Sequence, residues 1–301
     1  GIGGPPSVPQ FVNDLAVYDN EHLAVVGERS SIAPAFFTYS YDVAGADRWS
    51  EVFPYSFGTN SFSLSGVTAP NRLHVFLTGS FVTGGAFFWC NSNLPSDGIA
   101  TDFFLARVNA GTGECQWVNT YGGSQPDLGA DVVAKTDGTV FVVGSFGGSF
   151  SAGGATLSSA GGSDVFVASF TSDGDHLWST AVGSAGDDKG YRVTLSMDQQ
   201  QLLIAGTFEQ SINFGTGPLT STGATDVFVA SFNADDGQIQ WANRLGGSAD
   251  DVINNLQASP LGGVHICGDY SGTVDFGDAQ RTSQGDTDAY VAAFDLGTGT
   301  A

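Results

Sequence analysis

The chain has 301 residues and a formal net charge of −22, from 9 Lys+Arg against 31 Asp+Glu. So acidic a surface repels nucleic acid and anionic lipid, whose binding needs Lys and Arg, and favours cations and basic partners. A hydrophobic fraction of 41% excludes a disordered chain, and no apolar run approaches the roughly 18 residues that suggest a membrane-inserted helix.

The first ten residues, GIGGPPSVPQ, read as a flexible lead of the kind a processed secreted chain carries. Five repeat units follow, at about residues 11–54, 55–122, 123–183, 184–246 and 247–301. Their register is set by TDFFLARV (101–108), SDVFVASF (163–170), TDVFVASF (225–232) and TDAYVAAF (287–294). The aspartates Asp102, Asp164, Asp226 and Asp288 are spaced 62 residues apart each time. A step that regular means one structural unit copied along the chain.

The first unit has AFFTYSY (35–41) as its third strand and lacks most of the loop before it. The fourth unit is the clearest. Tyr191, Val193 and Leu195 alternate with polar residues, as in a strand. LLIAGTF (202–208) is a second strand, followed by a Gly-rich excursion (212–223). DVFVASF (226–232) is the third strand, NADDG (233–237) a turn and QIQWANRLG (238–246) the fourth strand. Gly27, Gly79, Gly144, Gly206 and Gly268 mark the second strands, and Trp49, Trp117, Trp178 and Trp241 the fourth strands. The fifth unit stops where its Trp strand should begin, so the chain is expected to be a fragment of a longer protein. The fold class is therefore all-β, a single β-propeller domain of about five blades of four antiparallel strands, the last blade lacking its fourth.

The ordered motifs GGSADD (246–251), GTVDFGD (272–278), SAGGSDVFVASF (159–170) and HLWSTAVG (176–183) resemble the SBBP β-propeller repeat family. The resemblance covers the second to fifth units well and the first weakly, since Ala35 stands there where the others have Asp. It implies a bacterial extracellular or surface propeller, often part of a large secreted protein, with no common catalytic chemistry.

Acids in the links between blades are the candidate cation ligands: Asp127, Asp187, Asp188, Asp250 and Asp251. Such links run inward, so these carboxylates are expected to converge on a channel mouth and suit a hard cation such as Ca²⁺. The competing reading is that they accept backbone N–H bonds in tight Gly-rich turns. Gln10 and Phe62 stand near the equivalent positions of the first and second units, so the ring of acids is incomplete. Asp102, Asp164, Asp226 and Asp288 are expected to bond a neighbouring loop. The tryptophans are expected to pack between blades, and the SDGD (172–175) and NADDG segments to be hairpin turns.

The second unit carries GGAFFWCNSNLPSDG (84–98), three residues longer than its equivalents. Phe87, Phe88 and Trp89 there form either an aromatic platform for a glycan or protein partner or a plug for the gap beside the shortened first unit. Cys90 and Cys115 share a repeat and could pair; Cys267 reads as a small buried hydrophobe. His22, His74, His176 and His265 are scattered, and no catalytic motif is present. The expected function is a non-enzymatic extracellular or cell-surface binding or adhesion module, with no nucleic-acid or membrane partner. The alternatives are a structural subunit of a surface or filament assembly, and a polysaccharide hydrolase or lyase.

Overall fold

The computed structural model describes residues 10–18, 22–29, 35–42, 44–54, 61–82, 87–90, 92–94, 100–276 and 279–300. Regular structure among them is entirely β, arranged as the five antiparallel blades of a β-propeller chain. The chain divides into two units. The first comprises Gly1–Val142, Phe150–Gly153 and Ser169–Leu177, and the second comprises Val143–Ser149, Gly154–Ala168 and Trp178–Ala301.

In the first unit, β1 (Gln10–Tyr18), β2 (His22–Arg29), β3 (Ala35–Asp42) and β4 (Asp47–Pro54) form a sheet in sequence order. The next blade has β5 (Ser61–Thr68) and β6 (His74–Val82), then a small hairpin of β7 (Phe87–Trp89) and β8 (Ser92–Leu94). It ends with β9 (Asp102–Asn109) and β10 (Cys115–Tyr121), in the order β5-β6-β9-β10. Their core joins Ala24 and Val26 of β2 to Phe62, Leu64, Leu77 and Phe104. The third sheet is β11 (Asp127–Ala134), β12 (Val140–Phe150), β13 (Leu157–Phe170) and β14 (His176–Val182), and its strands are divided between the two units.

In the second unit the fourth blade is β15 (Lys189–Leu195), β16 (Gln201–Asn213), β17 (Pro218–Asn233) and β18 (Ile239–Gly247). The fifth has β19 (Val252–Ala258) and β20 (Gly263–Tyr270). A hairpin of β21 (Thr273–Asp275) and β22 (Gln280–Thr282) follows, and then β23 (Asp288–Asp295). That hairpin extends the fourth blade instead, through Gly246↔Asp275 and Gly247↔Val274, which leaves β19-β20-β23 as a three-stranded sheet. The Gly-rich excursion of the fourth unit is more regular than its composition suggests. Ser211↔Thr220, Ile212↔Leu219 and Asn213↔Pro218 continue the β16–β17 ladder. Gly215 and Gly217, at φ of +104° and +119°, allow the tight reversal.

The second-strand glycines have a specific cause. The first strands β1, β5, β15 and β19 carry a bulge next to the residue opposite that glycine, at Val12↔Gly27, Leu64↔Gly79, Gly190↔Gly206 and Ile253↔Gly268. The bulge turns the preceding carbonyl onto the glycine. A Cβ on Gly79, Gly206 or Gly268 would lie 1.8–1.9 Å from the carbonyl oxygen of Ser63, Lys189 or Val252. Buried apolar runs on both faces then fill the middle strands β6, β16 and β17.

Candidate functional site

Each fourth-strand tryptophan is a strut to the blade that follows it. The indole N–H groups of Trp49, Trp117, Trp178 and Trp241 donate to the carbonyls of Ala110 (2.8 Å), Ser172 (3.2 Å), Ala234 (3.4 Å) and Leu296 (2.8 Å). All four acceptors lie in turns between third and fourth strands or just after β23. Glycines in those turns, Gly113, Gly174, Gly237 and Gly299, hold positive φ and lie against the same rings. The tryptophans therefore pack between blades, and the SDGD and NADDG segments are hairpin turns. The glycine half of this contact was not recognised from sequence, although a Gly shortly before each Trp strand was its signal.

The acids of the blade links also serve the scaffold. Asp127 and Asp251 each accept an amide from four residues back, Gly123 at 2.6 Å and Gly247 at 2.8 Å. Asp188 accepts the Glu209 amide at 3.2 Å and bonds Ser184. Their own amides donate to Thr101, Thr225 and Ser163, the residues preceding the third-strand aspartates of the previous blade. Asp164, Asp226 and Asp288 repeat the pattern, accepting from Ala160, Thr222 and Gln284, which is the loop bond expected of them. Asp226 also holds Arg244 at 2.6 Å, a partner the sequence did not single out. The outer acids face elsewhere. Asp187 takes the Ser163 amide at 3.0 Å and Lys189 at 3.4 Å, while Asp250 is exposed without being buried among the others.

Among the described residues no three acids, histidines or cysteines gather as a cation site. The second acid of each doublet, Asp188 or Asp251, is buried and turned onto backbone amides, within electrostatic range of the third-strand acid of the preceding blade. Asp188 is pushed up to about 6 by burial, with Asp164 adding a smaller repulsion. Asp251 is pushed up to about 6 by burial, then by Asp226 and Asp250. Asp164 Oδ1, Asp188 Oδ2, Asp226 Oδ1 and Asp251 Oδ1 are buried and have no hydrogen bond within the described chain. A proton on the raised carboxyl would satisfy its own orphaned oxygen.

This arrangement has a definite pH consequence. A carboxyl whose folded pKa is raised binds its proton more tightly in the native state, so its burial penalty, present above about pH 6, is removed as pH falls toward the unfolded value near 4. Each of Asp188 and Asp251 adds roughly 1–2 kcal/mol over that window after solvent screening. His74 and His176, held low chiefly by burial, pull the other way. The difference between parent and Asp188→Asn/Asp251→Asn is the informative quantity. In 0.5 M NaCl, where long-range repulsion is screened to a few Å, the parent Tm should gain on the variant between pH 7.5 and 5. Parallel pH profiles would rule the buried pairs out as the cause.

Of the aromatic triplet, Trp89 is placed clearly. Its side chain is 6% exposed and meets Phe62 at 5.9 Å and Phe104 at 5.4 Å, both edge-on, inside the core that includes β2. Buried among these rings, Trp89 is a core side chain and presents no exposed platform. Phe87 and Phe88 belong to β7, and their side chains lie outside the described residues. A disulfide between Cys90 and Cys115 ties this excursion to β10. Cys267 is free and only half-buried, less enclosed than its apolar sequence context suggests.

No protein-family model and no curated protein matches the chain. Solved structures with a similar chain course include BamB from Moraxella catarrhalis, at 15% identity and a TM-score of 0.40, covering 95% of this chain and 78% of that one. A europium-containing methanol dehydrogenase shows 10% identity and a TM-score of 0.46, with 97% and 51% covered. The periplasmic gluconolactonase PpgL of Pseudomonas aeruginosa shows 11% identity and a TM-score of 0.39, with 93% and 88% covered. At these values the chain is similar to them in course alone, and no site residue is carried over.

Proposed function

We propose that the chain is a non-enzymatic binding module of SBBP-type repeats, displayed outside the cytoplasm, which engages a glycan or protein through loops held on a rigid β-propeller scaffold. The carrying observation is the Cys90–Cys115 disulfide. It pins the lengthened excursion of the second unit, and binding loops are most effective when a rigid frame orders them beforehand. A stable disulfide also belongs to an oxidising compartment. The repeated acids and tryptophans support the same reading, because their hydrogen bonds go to the scaffold and leave recognition to the loops. The acidic surface favours a neutral or basic ligand over an anionic one.

The test is retention on immobilised glycans and on extracellular matrix or cell-wall proteins. Alanine at Phe87 or Phe88 should weaken binding about tenfold, the ~1.4 kcal/mol of one stacked aromatic, with Tm almost unchanged. Alanine at Trp89 should instead lower Tm by opening the core. Binding untouched by the two phenylalanine variants would remove the excursion as the site, and release of reducing ends from a polysaccharide would overturn the non-enzyme reading. Addition of millimolar Ca²⁺ or a chelator should leave Tm unmoved, since only a bound ion stabilises the native state.

A further inference from the structure

The joint between the second and third blades carries a charge that the repeat does not ask for. Opposite the strut tryptophan stands Ser40 in the first blade and Ser231 in the fourth, both fully buried. The matching residues of the third and fifth blades are Ser169 and Ala293. In the second blade the residue opposite Trp117 is Arg107, whose side chain is 13% exposed. Its guanidinium lies 5.9 Å from the centre of the Trp117 ring and reaches the turn between β13 and β14. There Nη1 donates to Ser172 O at 2.5 Å and to Asp173 Oδ1 at 2.9 Å. The Trp117 indole donates to the same Ser172 carbonyl, and Asn119 donates to Gly174 O at 3.1 Å. Arg107, Trp117 and Asn119 thus clasp this turn, and all of these groups belong to the first unit.

His74 stands beside the clasp. It is half-buried at the start of β6, 6.1 Å from the Phe76 ring, which lies 6.2 Å from Trp117. The matching positions of the third, fourth and fifth blades hold Thr139, Gln201 and Gly263, which are neutral at any pH. His74 Nδ1 and Arg107 Nε are buried without a hydrogen bond among the described residues. A second proton on the imidazole would therefore place a charged N–H without an acceptor near a guanidinium of the same sign. Burial and then the Arg107 charge hold His74 below the usual imidazole range, and Asp173, on the turn, pulls the other way.

We propose that His74 makes this joint acid-sensitive: its protonation drives Arg107 off the turn at residues 171–175, which opens while the corresponding turn of the fourth blade stays closed. The sign follows from linkage. A histidine whose folded pKa is lowered takes its proton more readily once the turn has opened. Closure therefore weakens as pH falls below the unfolded value of about 6.5.

The experiment reads hydrogen-exchange protection factors of the Thr171 and Gly174 amides, which donate to Asp175 O and Thr171 O within the turn. They are measured at pH 7.5 and pH 5 in the parent and in His74→Gln, which installs the residue that the fourth blade carries at this position. Protection in the parent should fall about threefold or more on acidification, and in the variant it should stay level. The Asn233 and Gly237 amides, which close the fourth-blade turn, should respond alike in both proteins. Every other titrating group is common to the two, so their difference belongs to His74. Arg107→Ser, the third blade's residue, should lower protection of the turn already at pH 7.5 and remove most of its acid response. Parallel profiles for the parent and His74→Gln would overturn the proposal. So would an acid-induced loss at residues 233–237 that His74→Gln relieves as much as it does at 171–175, because the effect would then be global.

Discussion

Replacing Gly206 with alanine should cost about 4 kcal/mol or more, a large part of the 5–15 kcal/mol that holds a typical domain together. The new Cβ would lie 1.9 Å from the Lys189 carbonyl oxygen and 2.7 Å from the Phe228 ring. The carbonyl is main chain, held in the ladder opposite Gly206, so it cannot swing away as a side-chain tip would. Relief requires unmaking the β15 bulge and with it the pairing of β15 and β16. Gly262→Ala is the control. Gly262 has φ of +90° with nothing within 4 Å of its Cβ position, so only the conformational penalty of about 1 kcal/mol applies. Thermal and urea unfolding of the two variants separate a steric effect from a general cost of losing glycine. If Gly206→Ala fell within ~1 kcal/mol of the parent, the account of the bulge would be wrong.

Trp241→Ala should cost about 3–5 kcal/mol, and Trp241→Phe only about 1–2 kcal/mol. The indole is 7% exposed, donates to Leu296 O at 2.8 Å, lies over Gly299 and stacks at 18° to Phe294 with centroids 6.5 Å apart. Alanine removes both the packing and the strut, while phenylalanine keeps most of the ring and loses the hydrogen bond. Because the strut links the fourth blade to the turn after β23, the loss should be local as well as global. Exchange of the fifth-blade amides should accelerate more than that of β16 and β17. Equal acceleration throughout the second unit would mean that Trp241 is simply one more core side chain.

Much of this fold is legible in the chain because the repeat shows the same physics four times. Alternation in Tyr191, Val193 and Leu195, the apolar runs LLIAGTF and DVFVASF, and Asn/Asp/Gly turns are local signals, and β15 to β18 follow them closely. The excursion at 212–223 was less legible, since Gly-rich composition masks a ladder that depends on pairing with the opposite strand. The same limit applied to the acids. A doublet such as Asp187–Asp188 places two carboxylates side by side in the sequence, yet one is half exposed beside Lys189 and the other is buried and accepts the Glu209 amide.

What the sequence by itself determined is the unit: its strands, its turns, and the glycines and tryptophans that recur in step. These follow from side-chain periodicity and backbone stereochemistry, which act over a few residues. Only the tertiary structure decided which blade the β21–β22 hairpin joins, that Trp89 is core, that Cys90 and Cys115 are bonded, and that Asp127, Asp188 and Asp251 are buried onto backbone amides. Those outcomes depend on groups from 25 to 60 or so residues apart competing for the same space, amides and protons, and a linear pattern holds no record of who meets whom.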